Sequence, residues 1–214
     1  HSGKMGPNKA WEMAAQGIGL SVFFDGLDGR IARLTNTTSD FGRELDSLAD
    51  VISFGIAPAV LAYVWGYQFL DPGTPRNIFQ YIMQAGYFVL FTFVCCGAMR
   101  LARFNITTNA VPSNPGRRDR KYFVGLPIPA AAGIVAAIVY ACDAVPLREW
   151  PYITAWTVAL ALFSFLMVST WRYRSFKDFN LVSPRSPRSL ILMTMTIYLI
   201  WNFSKPVLLG LSIA

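Results

Sequence analysis

The sequence predicts an all-α fold, a polytopic membrane helix bundle with at least six spanning helices. Three observations carry that expectation. Of 214 residues, 54% are apolar and only 14% are charged, and the mean hydropathy is +0.39; an average soluble domain carries about 25% charged residues. Apolar runs approach the roughly 20 residues that a helix needs to cross a bilayer. The polar connections between those runs alternate between basic-rich and basic-poor. The same composition excludes a disordered chain, a collagen and a disulfide-stapled module, and the length of 1–214 suits one domain or at most two small ones.

Six apolar segments follow in order: Ala10–Phe24, Leu48–Leu70, Ile78–Met99, Tyr122–Cys142, Tyr152–Trp171 and Leu190–Phe203. The first is diluted by Glu12 and Gln16, and the last is short; the middle four have spanning length. Turn residues part them: Asp71-Pro72-Gly73, Pro112 to Gly116, and Pro184 with Pro187. Pro127 and Pro129 fall inside the fourth segment and are expected to kink it. No strand alternation competes, and no repeat is visible. Cys95, Cys96 and Cys142 lie in apolar runs without metal-ligand spacing and are expected to be packing residues. The single histidine, His1, stands at the chain end, which removes histidine catalysis. The missing initial Met and the nine-residue apolar tail Pro206–Ala214, too short to span, suggest a trimmed piece of a longer protein; no cleavable signal peptide is visible.

The net charge of +7 is explained by topology rather than by nucleic acid. Gly26–Asp46, Arg100–Lys121 and Arg172–Ser189 hold 14 of the 19 basic residues; Lys4, Lys9, Arg76, Arg148 and Lys205 are the rest. Alternate connections that differ this much follow the positive-inside rule, so the first group is expected in the cytoplasm, beside anionic lipid.

The chemistry concentrates in one cytoplasmic stretch. Six of the 12 carboxylates lie between Asp25 and Asp50: Asp25, Asp28, Asp40, Glu44, Asp46 and Asp50. Asp25 and Asp28 are spaced i, i+3 at the end of one apolar helix, and Asp46 and Asp50 i, i+4 at the start of the next, so each pair shares a helix face. Two such faces turned together bring four carboxylates into one place, where they repel unless cations sit among them. Hard oxygen ligands without His or Cys select Mg²⁺ or Mn²⁺ over zinc. Four Asp suffice for two ions about 3.5–4 Å apart, an arrangement used in phosphoryl chemistry. The competing reading is a solvated acidic loop paired locally with Arg30, Arg33 and Arg43. Gly26, Gly29, Ala32 and Gly42 surround the carboxylates and either admit a flat ligand or a backbone, or serve helix packing. Arg33 either pairs with a neighbouring Asp or clamps a phosphate.

Read as one string, Asp25 to Asp50 is DGLDGRIARLTNTTSDFGRELDSLAD. It resembles the signature of the CDP-alcohol phosphotransferases, D-x2-D-G-x2-A-R-x8-G-x3-D-x3-D, at every fixed position: Asp25, Asp28, Gly29, Ala32, Arg33, Gly42, Asp46 and Asp50. At average residue usage such a coincidence is on the order of 10⁻⁹ per start site. Three further strings, Ser53 to Pro58, Arg100 to Asn105 and Gly125 to Ala132, resemble the bacterial and archaeal phosphatidylserine synthase branch of that family. Members normally carry another spanning helix before the one that ends at Asp25, which again fits a trimmed chain.

The resemblance implies a single membrane-embedded domain of that family, which transfers a phosphatidyl group from CDP-diacylglycerol to L-serine and releases CMP. It implies two divalent cations, Mg²⁺ or Mn²⁺, on Asp25, Asp28 and Asp46 with Asp50 sharing, and Asp50 as the base for the serine hydroxyl. Gly29, Ala32 and Gly42 with Arg33 are the implied nucleotide and diphosphate contacts. Arg100, Arg103 and Asn105 are candidates for the serine carboxylate or the lipid phosphate, against plain positive-inside anchoring. A homodimer in a prokaryotic inner membrane, with its active site toward the cytoplasm, is also implied. One alternative is a relative with another acceptor, glycerol-3-phosphate or inositol. A cation or proton transporter is the alternative from another class, but such sites favour the bilayer midplane and repeats, and this cluster has neither.

Overall fold

The computed structural model describes residues 7–35, 39–108, 122–169 and 172–174. Its elements are α1 (Pro7–Thr35), α2 (Asp40–Asp50), a π-helical turn (Val51–Ile56), α3 (Ala57–Gly66), α4 (Arg76–Thr108), β1 (Tyr122–Val124), α5 (Ile128–Ala141), α6 (Trp150–Val168) and β2 (Arg172–Arg174). The helices pack side by side, with α4 against α6 and α1 against α5 as the broadest contacts. Trp65, Phe54, Phe93, Ile153, Leu160 and Met167 fill the centre. Tyr81, Phe88 and Phe91 of α4 and Val158, Leu162 and Phe165 of α6 stand exposed, the outward apolar surface a lipid-embedded bundle requires. Hydroxyls within the bundle bond down their own helices: Thr157 to the Ile153 carbonyl and Ser164 to that of Leu160, each at 2.8 Å. That satisfies groups with no water available.

Among the described residues, three helices are long and apolar enough to cross a membrane: Glu44–Gly66, Arg76–Arg103 and Trp150–Val168. The expectation of six is met only in part. In α1 the apolar residues are interrupted by polar ones and the helix falls short on composition, although it runs through Asp25 to Thr35 rather than ending at the carboxylates. The segment expected over Tyr122–Cys142 contracts to the 14 residues of α5. Leu190–Phe203 lies outside the described residues.

The contraction has a local cause. Pro127 is the extended N-cap of α5 and Pro129 sits in its first turn, where a missing N–H costs no hydrogen bond. The prolines therefore start a helix and do not kink one. The preceding residues form a small antiparallel ribbon, with Tyr122 opposite Arg174 and Val124 opposite Arg172, a strand pairing that sequence reading did not anticipate. Gly125 turns the chain from ribbon to helix at φ +77°; a Cβ there would stand 2.7 Å from the Met167 carbonyl oxygen and 2.9 Å from that of Ser169. The Leu126 N–H donates to the Leu166 carbonyl at 3.0 Å. Gly125-Leu126-Pro127 thus fastens the start of α5 to the end of α6.

The helix ends bounding the basic connections after α1, α4 and α6 all lie at one end of the bundle. Asn105 of α4 reaches Ser47 of α2 there, and β2 after α6 pairs with β1 before α5. Arg148 lies at the opposite end, where its carbonyl accepts from the Asp71 N–H at 2.9 Å. Of the cysteines, Cys96 is buried and Cys95 half-buried as packing residues should be, whereas Cys142 is exposed at the turn after α5.

Candidate metal centre

Asp25 projects from the middle of α1, and Asp46 and Asp50 from successive turns of α2. Ser39 starts α2: its extended backbone and its Oγ, which accepts from the Gly42 N–H at 3.0 Å, form an N-cap. Gly42 sits so close to this cap that a Cβ would meet Ser39 Oγ at 3.1 Å. Capping fixes where the helical repeat begins, and the i, i+4 spacing then lays Asp46 and Asp50 along one face.

Asp25, Asp46 and Asp50 each offer a carboxylate oxygen, and these oxygens all lie within 4.8 Å of one another. Oxygens on one hard cation stand about 2.0–2.6 Å from it, so two ligands of one ion are separated by at most about 5 Å. The donor set and spacing therefore fit a divalent cation of the Mg²⁺ or Mn²⁺ type. Asp46 is exposed, and Asp25 and Asp50 are half-buried, so the cluster opens to the outside at the polar end of the bundle. Three of the four expected ligands are thus brought together. The α1 backbone carries Asp28, Gly29, Ala32 and Arg33 through the next two turns, and their side chains lie outside the described residues.

The basic string at the end of α4 borders the same end. Arg100 is half-buried, and its Nε is buried without a hydrogen-bond partner among the described residues. It lies 3.5 Å from the position of a Cβ on Gly125. A guanidinium N–H so placed is a ready donor to an anion. Arg103 is exposed. Asn105 behaves differently from its neighbours: its Nδ2 donates to Ser47 Oγ at 2.8 Å, on the residue next to Asp46. In the sequence Asn105 stands beside Arg100 and Arg103 as a ligand-binding candidate; the bridge depends on Ser47, 58 positions away.

Fold and cluster together define an integral membrane helix bundle with a carboxylate site suited to a divalent cation. The chain belongs to the CDP-alcohol phosphatidyltransferase family, whose model matches residues 5–167. It is 43% identical over 166 residues to a Helicobacter pylori protein named CDP-diacylglycerol–serine O-phosphatidyltransferase, covering 77% of this chain and 62% of that protein. A Bacillus subtilis protein of the same name is 31% identical over 161 residues, 75% of this chain and 73% of its own length. The Methanocaldococcus jannaschii protein of that name is 44% identical over 115 residues, 54% of this chain and 44% of its own length. The chain thus spans 62% of the length of the Helicobacter pylori relative it matches.

Proposed function

We propose that residues 1–214 form a single membrane-embedded catalytic domain that transfers the phosphatidyl group of CDP-diacylglycerol to the hydroxyl of L-serine, giving phosphatidylserine and CMP. The observation that carries this reading is the convergence of Asp25, Asp46 and Asp50 at the polar end of an apolar bundle, in a chain whose relatives bear the name of that reaction. Asp25, Asp28, Asp46 and Asp50 would hold two divalent cations, Mg²⁺ or Mn²⁺. Such ions, when bound, neutralise a diphosphate and polarise its phosphorus toward attack.

The protein's own residues supply the rest. An Asp50 carboxylate oxygen accepts the proton of the serine hydroxyl as its oxygen forms the new bond to the lipid phosphorus; the bond to the CMP oxygen breaks, and CMP leaves with the electron pair. Gly29 and Ala32 would admit the cytidine, and Arg33, with Gly42, would meet the diphosphate. The Arg100 guanidinium, with its unpartnered Nε beside Gly125, takes the serine carboxylate or the lipid phosphate, with Arg103 at the rim. The lipid tails lie along the outward apolar faces of the helices. The positive-inside rule, applied to the basic-rich connections, supports a site that faces the cytoplasm, in a prokaryotic inner membrane and in a bundle of six spans that works as a homodimer.

CMP release measured in parallel with serine, glycerol-3-phosphate and inositol tests this reading. Serine-dependent release alone is expected. Release with glycerol-3-phosphate or inositol and not with serine would assign a different acceptor, and release with none would reject the transferase.

A further inference from the structure

The helix that carries Asp46 and Asp50 does not stop at the cluster. From Asp40 to Gly66 the backbone stays helical through α2, the π-helical turn and α3; the junction residues Asp50, Ile56 and Ala57 all keep right-handed helical angles. At the downstream junction the Ala57 N–H bonds five residues back, to the Ile52 carbonyl. The sequence supplies the cause one residue later. Pro58 has no N–H, and in a regular α-helix its ring collides with the carbonyl four residues back, that of Phe54. A turn widened to i→i+5 bonding opens that gap. Pro58 and Phe54 are both fully buried, so the strain cannot be relieved by swinging this stretch outward.

The widened turn has a rotational consequence. It absorbs an extra residue relative to an α-helical ladder, and each residue of an α-helix turns its face by about 100°. Everything upstream of Val51 is rotated by about that much relative to the core-packed face of α3. The π-helical turn itself packs on α1, α4 and α5, so the rotation is anchored to the bundle that carries Asp25. The geometry points to the π-helical turn Val51–Ile56, set by Pro58, as the positioning element that aims Asp46 and Asp50 at Asp25. Its meaning for catalysis rests on reading the cluster as the divalent-cation site; the aiming itself is a property of the backbone.

Two readouts separate these claims. In the full chain carrying Cys95→Ala, Cys96→Ala and Cys142→Ala, the pair Asp25→Cys and Asp46→Cys is joined by a short bismaleimide and read by mass spectrometry of tryptic fragments. Pro58→Ala lets the turn close into regular α-helix at full length, so the extra residue is no longer absorbed and Asp46 is turned away by about 100°. Cross-linking is expected to fall several-fold, and Mn²⁺ affinity, measured with the aspartates intact, by at least about tenfold. Tryptophan fluorescence from the Trp65 and Trp156 core is expected to stay unchanged. Deleting Ser53 in the Pro58→Ala chain removes the residue that the π turn absorbs and is expected to restore both readouts. Undiminished cross-linking in Pro58→Ala overturns the proposal. Should Pro58→Ala alone disrupt the fold, the double variant decides: wild-type cross-linking upholds the aiming role, and a several-fold drop overturns it. Cross-linking that depends on Pro58 in a chain whose wild type binds no Mn²⁺ upholds the aiming role and rejects the metal reading.

Discussion

The two ends of the bundle are built on opposite terms. At the end away from the carboxylates, aromatic rings are seated in glycine notches. The Trp156 indole fills the space over Gly66, where a Cβ would come within 2.6 Å of Nε1, and the Tyr67 ring fills that over Gly86. Trp65 and Trp156 meet edge to face at 5.1 Å, and Tyr67 bonds Thr157 across the helices at 2.8 Å. Trp65 and Tyr67 are each 2% exposed. Trp11 of α1 meets Phe69 at this same end, ring centroids 5.3 Å apart. At the carboxylate end, about 21 Å away along α1 by helical rise from Trp11 to Asp25, Asp46 is exposed and Asp25 and Asp50 are half-buried. The contacts there are polar: the Ser39 cap, the Asn105–Ser47 bridge and the Arg100 guanidinium. Stability is concentrated where water is excluded, and ligand chemistry where charged groups remain reachable.

That contrast sorts substitutions by what they change. The largest effect on chemistry is expected from Asp50→Asn, which keeps shape and one oxygen ligand but removes the proton acceptor. Turnover should fall about 10²–10⁴-fold while CDP-diacylglycerol binding and detergent-solubilised yield largely survive. Near-normal turnover in a folded, metal-loaded Asp50→Asn chain would remove Asp50 from the role of base. Gly125→Ala is expected to be the most disruptive change to the fold. The positive φ alone costs about 1–2 kcal/mol, and the added Cβ would press on two backbone carbonyls that cannot yield as a side chain can. Thermal unfolding in detergent should report it.

Gly66→Ala breaks the aromatic end. Overpacking against the Trp156 indole is expected to cost about 1–3 kcal/mol, lowering Tm while leaving Mn²⁺ affinity within about twofold, since well-separated sites behave independently. A matching loss of Mn²⁺ affinity would show that the two ends are coupled and would break the comparison. The smallest effect belongs to Asn105→Ala. Loss of one hydrogen bond of about 1 kcal/mol should weaken Mn²⁺ binding about fivefold, and the effect should not add to that of Ser47→Ala. A raised KM for serine with unchanged Mn²⁺ affinity would return Asn105 to the substrate site.

Much of this was legible in the sequence because it depends on local spacing. The i, i+4 register of Asp46 and Asp50, the apolar spans of α4 and α6 and the common end of the bundle at which α1, α4 and α6 finish follow from residue order. What was not legible depends on distant partners or on how the helix absorbs a proline. Pro127 and Pro129 look alike as a kink or as a helix start; the ribbon to Arg172–Arg174 and the Gly125 packing against α6 decide for the start. Asn105 needed Ser47, and Gly66 needed Trp156, 90 positions on. Pro58 was visible as part of a family-like string, but its effect on the face presented by Asp46 emerges only from the backbone of the π turn.

A Mn²⁺ titration of the purified full chain in detergent, followed by electron paramagnetic resonance and run on wild type and Asp46→Asn side by side, decides whether the carboxylates hold metal. The carboxylate cluster, if it is the metal centre, should remove free Mn²⁺ signal in the wild type saturably. The variant should bind at least about tenfold more weakly with its tryptophan fluorescence unchanged. Equal Mn²⁺ binding by both chains, or saturable binding by neither, would show that Asp25, Asp46 and Asp50 are not a metal centre.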